Sequence, residues 1–225
     1  MRKLSVVLLL TILSFMSSAG HALTFKSELP DNVWIHRKAK VVPSTKKQRK
    51  RALTAIKRKT HPVVFSSIVQ QVNTIYIVTE LKHRETGGNI CGTYFDNDII
   101  VSIHPHCGIE NIDYYVTHEY SSLVLNKWFH RFPSREWGLN NGFPYNDRDM
   151  WPIITGQKHE KLRFLNENGF FELYCTVSRE EDFNVLIGYY YEDKSALNHV
   201  TARYPKVRNK VRLAVKFFEK YAGKQ

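Results

Sequence analysis

The sequence is poor in cysteine and in acidic residues, and after its first 22 positions it has no apolar run long enough to cross a bilayer. Only three of its 225 residues are Cys, and Asp and Glu number 21 against 33 Lys and Arg. It contains no internal repeat and no low-complexity tract. With 43% hydrophobic and 13% aromatic residues, the chain resembles globular proteins rather than disordered ones. These features predict one globular domain with a sizeable core.

Residues 1–22 have the layout of a secretory signal. Arg2 and Lys3 precede an apolar run from Leu4 to Met16, which is followed by small residues that end at Ala22. No Cys lies near the expected cleavage point, so we expect a soluble exported protein, periplasmic or secreted, rather than a lipid-anchored one. A buried N-terminal helix is the alternative.

The three cysteines fit an exported protein, because an oxidising compartment permits disulfides. Cys91 and Cys107 flank what reads as one β-hairpin, which predicts a disulfide between them and leaves Cys175 free. The alternative is a reactive Cys175 beside a His, although no local signature supports a nucleophile there.

Positive charge is concentrated at the two ends of the expected mature chain. The segment Arg37–Lys59 holds eleven Lys and Arg and no acid, and Arg203–Lys224 holds eight against Glu219 alone. Such runs form solvated helix faces or contact an anionic membrane or envelope surface. Nucleic acid is not an expected partner, because export separates the chain from it and no aromatic residues interleave the basic run for base stacking.

The periodicities predict an α+β fold in which a small mixed or antiparallel sheet packs on a central helix and a mainly helical part follows. We expect residues 23–62 to form a basic arm or helix, residues 63–225 to form a single domain, and the protein to be a monomer. The predicted elements are a helix to about Thr60, a short helix Val63–Val72, a strand Thr74–Thr79, a hairpin Ile90–Ile103, a helix Asp113–Phe129, a long loop over 130–152, a helical piece His159–Asn166, an extended Phe170–Thr176, a helix Ser178–Tyr190 and a final helix Tyr204–Ala222.

The central helix carries the chemistry. A helical His-Glu-x-x-His places two imidazoles one turn apart for a metal, with the Glu beside them as a base. Here His118 and Glu119 are present, but the position four after His118 is Ser122. A His-Glu pair alone is a weak signal, and a downstream Glu would have to supply another ligand.

Four segments in order, TIYIVT, GTYFDNDIIVSI, VTHEYSSLVLNKW and GFFELYCTVSREEDF, resemble the gluzincin metallopeptidases. The similarity is greatest to the lethal-factor-like branch and its bacterial zinc-binding relatives, and it covers about 73–191. The resemblance implies a zinc site with His118 as first ligand and Glu181 as third, Glu119 as general base and Tyr174 as oxyanion donor. It also implies that the strand Ile99–Ile103 is the edge strand against which a peptide substrate lies.

Ser122 departs from this family pattern. A hydroxyl is a poor zinc ligand and ends several ångströms short of an imidazole nitrogen. Three outcomes follow: a weak two-ligand site, recruitment of His104 or His106, or a fold kept without the chemistry. The joint presence of Glu119, Tyr174 and Glu181 favours a zinc peptidase that hydrolyses peptide bonds with a Glu-activated water, whereas Ser122 favours an inactive pseudo-peptidase that binds a peptide or a partner.

Each candidate residue also has an ordinary structural interpretation. Glu181 lies three residues after Ser178, which is the spacing of a capping box. Tyr174 would also fit as a core or rim aromatic, and a lone His118 as a partly buried, hydrogen-bonded histidine.

Overall fold

A computed structural model describes residues 22–31, 34–146 and 161–224. Nearly all of the predicted signal segment lies outside these ranges, so export stays a prediction. None of the helices in these ranges has both the length and the apolar character that a membrane crossing requires.

The strands of the described residues form one mixed sheet. They are β1 Thr24–Lys26, β2 Ala39–Pro43, β3 Thr74–His83, β4 Gly92–Phe95 and β5 Asp98–Ser102. The sheet order is β1-β3-β5-β4, and β2 pairs with β3. β3 runs parallel to β1 and β5, while β2 pairs antiparallel with β3 and β4 with β5. The predicted hairpin is therefore confirmed, and β3 extends further than predicted.

The sheet is buried on both faces. Ile75 and Ile77 of β3 point into the larger core, whereas Tyr76 and Val78 point into a smaller core on the other face. This alternation follows from the two-residue period of a strand. The helices cover the larger core, which holds most of the buried aromatic side chains.

The helices account for the rest of the described fold, which is α+β with a helical C-terminal part, as predicted. The helix over 46–59, the short helix after it, the central helix and the final helix are confirmed, while a helix over 194–203 was not expected. The helices are α1 Ile35–Lys38, α2 Lys46–Lys59, α3 Pro62–Gln71, α4 Ile112–Trp128, α5 Ser134–Gly138, α6 Leu162–Glu167, α7 Arg179–Glu192, α8 Lys194–Arg203 and α9 Pro205–Tyr221.

The segment before α7 is not extended, contrary to the prediction. Leu173–Thr176 forms a 3-10 helix, and the Thr176 hydroxyl donates to the Leu173 carbonyl. The Asn166 amide donates to the carbonyls of Phe170 and Phe171. These backbone groups are thus satisfied by side chains and a local turn, so a strand partner is not needed.

The cysteines pair as predicted. Cys91 and Cys107 form a disulfide with their Cα atoms 5.3 Å apart, and Cys175 is free and buried. Burial raises the pKa of the Cys175 thiol well above its usual value. A thiol in that state is a structural residue rather than a reactive nucleophile.

The basic N-terminal run is distributed over three elements, α1, β2 and α2. The side of α2 that faces away from the core exposes its cations, and Ala52 and Ile56 are buried on the other side. The contact with an anionic surface stays a prediction. The exposed cations of α2 are Lys46, Lys47, Lys50, Arg51, Lys57, Arg58 and Lys59.

Candidate functional site

A cavity of about 1040 Å³ lies where α4, α7 and β4 meet. His118, Glu119 and Ser122 of α4 line it, together with Glu180 and Glu181 of α7. Gly92, Thr93 and Tyr94 of β4 and Tyr174 of the 3-10 helix complete this end of the cavity. The fold therefore brings His118, Glu119, Tyr174 and Glu181, the four residues to which the family resemblance gives chemical roles, to one cavity.

His118 and Glu181 contact each other directly. The Ser178 hydroxyl accepts a hydrogen bond from the Glu181 backbone N–H and so fixes the start of α7. The Glu181 carboxylate extends to α4, where its Oε2 lies 3.0 Å from His118 Nε2. Burial lowers the pKa of His118, but the hydrogen bond to Glu181 and the charge of Glu119 outweigh burial, so that the pKa is raised overall. Of the predicted capping box, the hydrogen bond to the Ser178 hydroxyl is present, and the Glu181 carboxylate faces the cavity instead of Ser178.

Glu119 is buried without a hydrogen-bond partner among the described residues. Its side chain lies against β4, and the residue is 7% exposed. Burial raises the pKa of Glu119 to about 8, and the neighbouring His118 opposes this shift. Gly92 makes the arrangement possible, because a Cβ at that position would lie 2.5 Å from Glu119 Oε1. The Glu119 carboxylate thus occupies the space that the side chain of any residue larger than glycine at position 92 would fill.

Ser122 is held by a hydrogen-bond network that also fills its surroundings. The Asn184 side chain of α7 donates its amide to Ser122 Oγ at 2.6 Å. The Ser121 hydroxyl lies 2.7 Å from Asn184 Oδ1 and 2.6 Å from the His118 carbonyl. All three side chains are buried. At the position where the motif would have a second imidazole, the chain therefore has a hydroxyl that accepts a hydrogen bond from an amide of α7.

Tyrosines surround the carboxylates. The Tyr174 ring centroid lies 6.3 Å from that of His118. Burial, followed by the charges of Glu181 and Glu119, raises the pKa of Tyr174 well above its usual value, so its hydroxyl is a donor. The Tyr94 hydroxyl donates to Glu180 Oε1 at 2.9 Å and accepts from the Asn126 amide.

The donor set does not fit a catalytic zinc ion, which takes three protein ligands. Two ligands of one tetrahedral zinc lie about 3.3 Å apart, given zinc–ligand bonds near 2 Å, so His118 and Glu181 suit two corners. Nowhere in the described ranges do three His, Cys, Asp or Glu side chains converge closely enough to hold a metal. His118 Nδ1 is buried with no partner there to orient the ring.

Neither alternative histidine completes a group of three metal-ligating side chains with this pair in the described ranges. His106 lines the cavity and is exposed, and its backbone N–H donates to His104 Nδ1 at 3.2 Å. His104 does not line the cavity. Recruitment of either residue to a metal stays a prediction.

The edge strand was predicted incorrectly. Ile99–Ile103 overlaps β5, which lies between β3 and β4, so β4 is the strand at the edge. The continuous apolar run Ile99-Ile100-Val101, buried on both faces, is the signal that favours an inner strand. Asn184, Gly92 and Tyr94 were also missed as site residues, because only the fold brings them beside α4.

Comparison with known proteins supports the fold. No family model matches the chain, and no curated protein matches it. A crystal structure from Bacteroides caccae ATCC 43185, described as a "putative zinc-binding metallo-peptidase", is similar with a TM-score of 0.58 and 13% sequence identity. The match covers 90% of this chain and 80% of that one. The chain thus has a metallopeptidase-like fold, and at this level of identity the likeness concerns the fold alone.

Proposed function

We propose that the chain is an exported pseudo-peptidase that binds an extended polypeptide segment in the cavity beside β4 without hydrolysing it. The observation that carries this proposal is the Ser122–Asn184 hydrogen bond. Position 122, where the motif would have a second imidazole ligand, has a hydroxyl instead. This hydroxyl and the Asn184 amide are poor zinc ligands, and they hydrogen-bond each other.

The free side of β4 suits a strand-shaped ligand. Only β5 pairs with β4 in the part of the chain that the structure describes, so the opposite edge offers backbone N–H and C=O groups. Gly92, Thr93 and Tyr94 line the cavity from this edge. A peptide that adds there gains backbone hydrogen bonds from β4, and its alternate side chains enter the cavity.

The experiment compares metal, hydrolysis and binding in the mature protein. After purification without chelator, we expect elemental analysis to find no stoichiometric zinc. We also expect the protein to leave a mixed peptide library uncleaved and to retain some of its peptides, intact, as bound ligands. His118→Ala should leave the zinc content unchanged. Stoichiometric zinc that is lost in His118→Ala, together with cleavage that is lost in Glu119→Gln, would overturn the proposal.

That contrary result would support the second candidate, a zinc peptidase. The observation in its favour is that one cavity holds the His118–Glu181 pair, the Tyr174 hydroxyl and Glu119, which has no hydrogen-bond partner among the described residues. These are the residue types that peptide hydrolysis by a metallopeptidase needs. Zinc as a cofactor therefore stays a prediction that this assay decides.

Gly92→Ala tests where the peptide lies. The added methyl group would meet the Glu119 carboxylate, which must then move into the cavity, so we expect peptide affinity to fall about tenfold or more. Gly138→Ala is the matched control, because nothing lies within 4 Å of a Cβ at that position. Equal peptide affinity in the two variants, measured by calorimetry on folded protein, would place the peptide elsewhere.

A further inference from the structure

We infer that the cavity selects a polypeptide with a positively charged side chain, which it takes beside Glu119. This inference rests on the proposed peptide binding and names the chemical class of its ligand. It follows from the charges and rings that line the cavity.

Asp and Glu outnumber Lys and His in the lining, by eight residues to five. Among the acidic side chains that the structure describes, Asp113 is paired with Lys59 at 3.5 Å, and Glu181 with His118 at 3.0 Å. The others have no cationic partner within the described ranges, so acidic groups that a cation could pair with face the ligand. These unpaired carboxylates are Glu110, Glu119, Glu172, Glu180, Glu192 and Asp193.

The inner end of the cavity lacks one donor. Glu180 accepts from the Tyr94 hydroxyl, and Glu181 contacts His118. Glu119 lies beside them at 7% exposure, and its carboxylate accepts no hydrogen bond from a described donor, which leaves its oxygens open to the cavity. A carboxylate with so little contact with water is unfavourable in its charged form unless a cation or a hydrogen bond compensates it. A guanidinium or ammonium group that enters the cavity would supply both.

Aromatic rings add a second attraction for cations. Tyr94, Tyr114, Tyr115, Tyr174 and Tyr189 all line the cavity. Tyr114 is at the centre of this group, with ring centroids 5.4 Å from Tyr189 and 5.5 Å from Tyr115. A cation over a tyrosine face is attracted by the ring quadrupole, more strongly where water is excluded. Neutral and acidic side chains gain nothing comparable from such walls.

The cations that already line the cavity do not reverse this preference. Lys59 is occupied by Asp113 and by the Glu110 carbonyl, and His118 is occupied by Glu181. Lys38 lies on α1, on the wall that Trp34 and Ile35 also form. With His83 and His106 also counted among the bases, a cationic ligand still meets more acidic groups than basic ones in the lining.

The test uses two capped pentapeptides that differ only in their central residue, arginine or its neutral isostere citrulline. Calorimetry on the full mature protein should show about tenfold or tighter binding of the arginine peptide, because one hydrogen-bonded charge pair contributes that much. Glu119→Gln should reduce the arginine preference to near unity. Glu219→Gln, a carboxylate outside the cavity, is the control and should leave the preference intact.

The outcomes separate this inference from the function on which it rests. Equal binding of the two peptides would overturn the cation preference and leave peptide binding standing. Binding of arginine amide but of neither peptide would support the cation site and overturn binding along β4. No binding of the peptides or of arginine amide would overturn both.

Discussion

Replacing Lys210 with methionine is expected to lower the free energy of unfolding by about 3–5 kcal/mol, the usual cost of breaking a buried ion pair on one side. Lys210 Nζ on α9 lies 2.6 Å from Asp182 Oδ2 on α7, and both side chains are fully buried. The ammonium group also lies 4.1 Å from the centroid of the Phe170 ring. Without it, Asp182 lies in the core with no cation beside it, and the Tyr145 hydroxyl and the Cys175 thiol are its remaining side-chain donors among the described residues.

Urea unfolding of three variants checks this prediction. The double variant Asp182→Asn/Lys210→Met should recover most of the loss, since a neutral amide still accepts from Tyr145 and no unpaired charge remains. Lys216→Met, an exposed position on the same helix, should change stability by no more than about 0.5 kcal/mol. Wild-type stability in Lys210→Met would show that the pair contributes nothing.

The second large effect concerns zinc. The double variant Ser122→His/Asn184→Ala should bind zinc more than about 100-fold more tightly than the wild type. Loss of a residue that only hydrogen-bonds a metal ligand already costs about 10–100-fold in metal affinity, and a direct ligand contributes more. The pair is needed because the Asn184 amide lies 2.6 Å from Ser122 Oγ, where the new imidazole must extend. Ser122→His alone should gain much less.

Competition with a chromophoric zinc chelator measures the gain. Adding Glu181→Gln to the double variant should abolish it, since Glu181 Oε2 lies beside His118 Nε2 and would be the third ligand. If the double variant bound zinc no better than the wild type, position 122 would not face the His118–Glu181 pair.

Local patterns were sufficient to predict α4, α7, the hairpin and the disulfide. Each depends on residues close in sequence, such as Ser178 capping α7 or the polar turn between β4 and β5. The family resemblance singled out Tyr174 and Glu181, and both line the cavity. Their roles in chemistry stay predictions.

Other parts of the site depend on contacts between distant elements and could not be read from the sequence. The sequence shows that Ser122 stands where a second His ligand is expected. It does not show that Asn184, 62 residues later and on another helix, donates a hydrogen bond to this Ser. Likewise, the position of β5 inside the sheet depends on its parallel pairing with β3. Hairpin signals specify which strands are neighbours and leave the edge undetermined.

The disulfide has a mechanical consequence for the cavity. Cys91 directly precedes β4, and Cys107 lies in the loop that leads into α4, so the bond fastens two walls of the cavity to one covalent ring. Those walls cannot separate far without bending that ring. Widening that admits a bulky ligand must therefore come from the other walls, and where α7 moves, Glu180 and Glu181 move with it. The β4 and α4 walls of the cavity are thus the fixed part of the binding site.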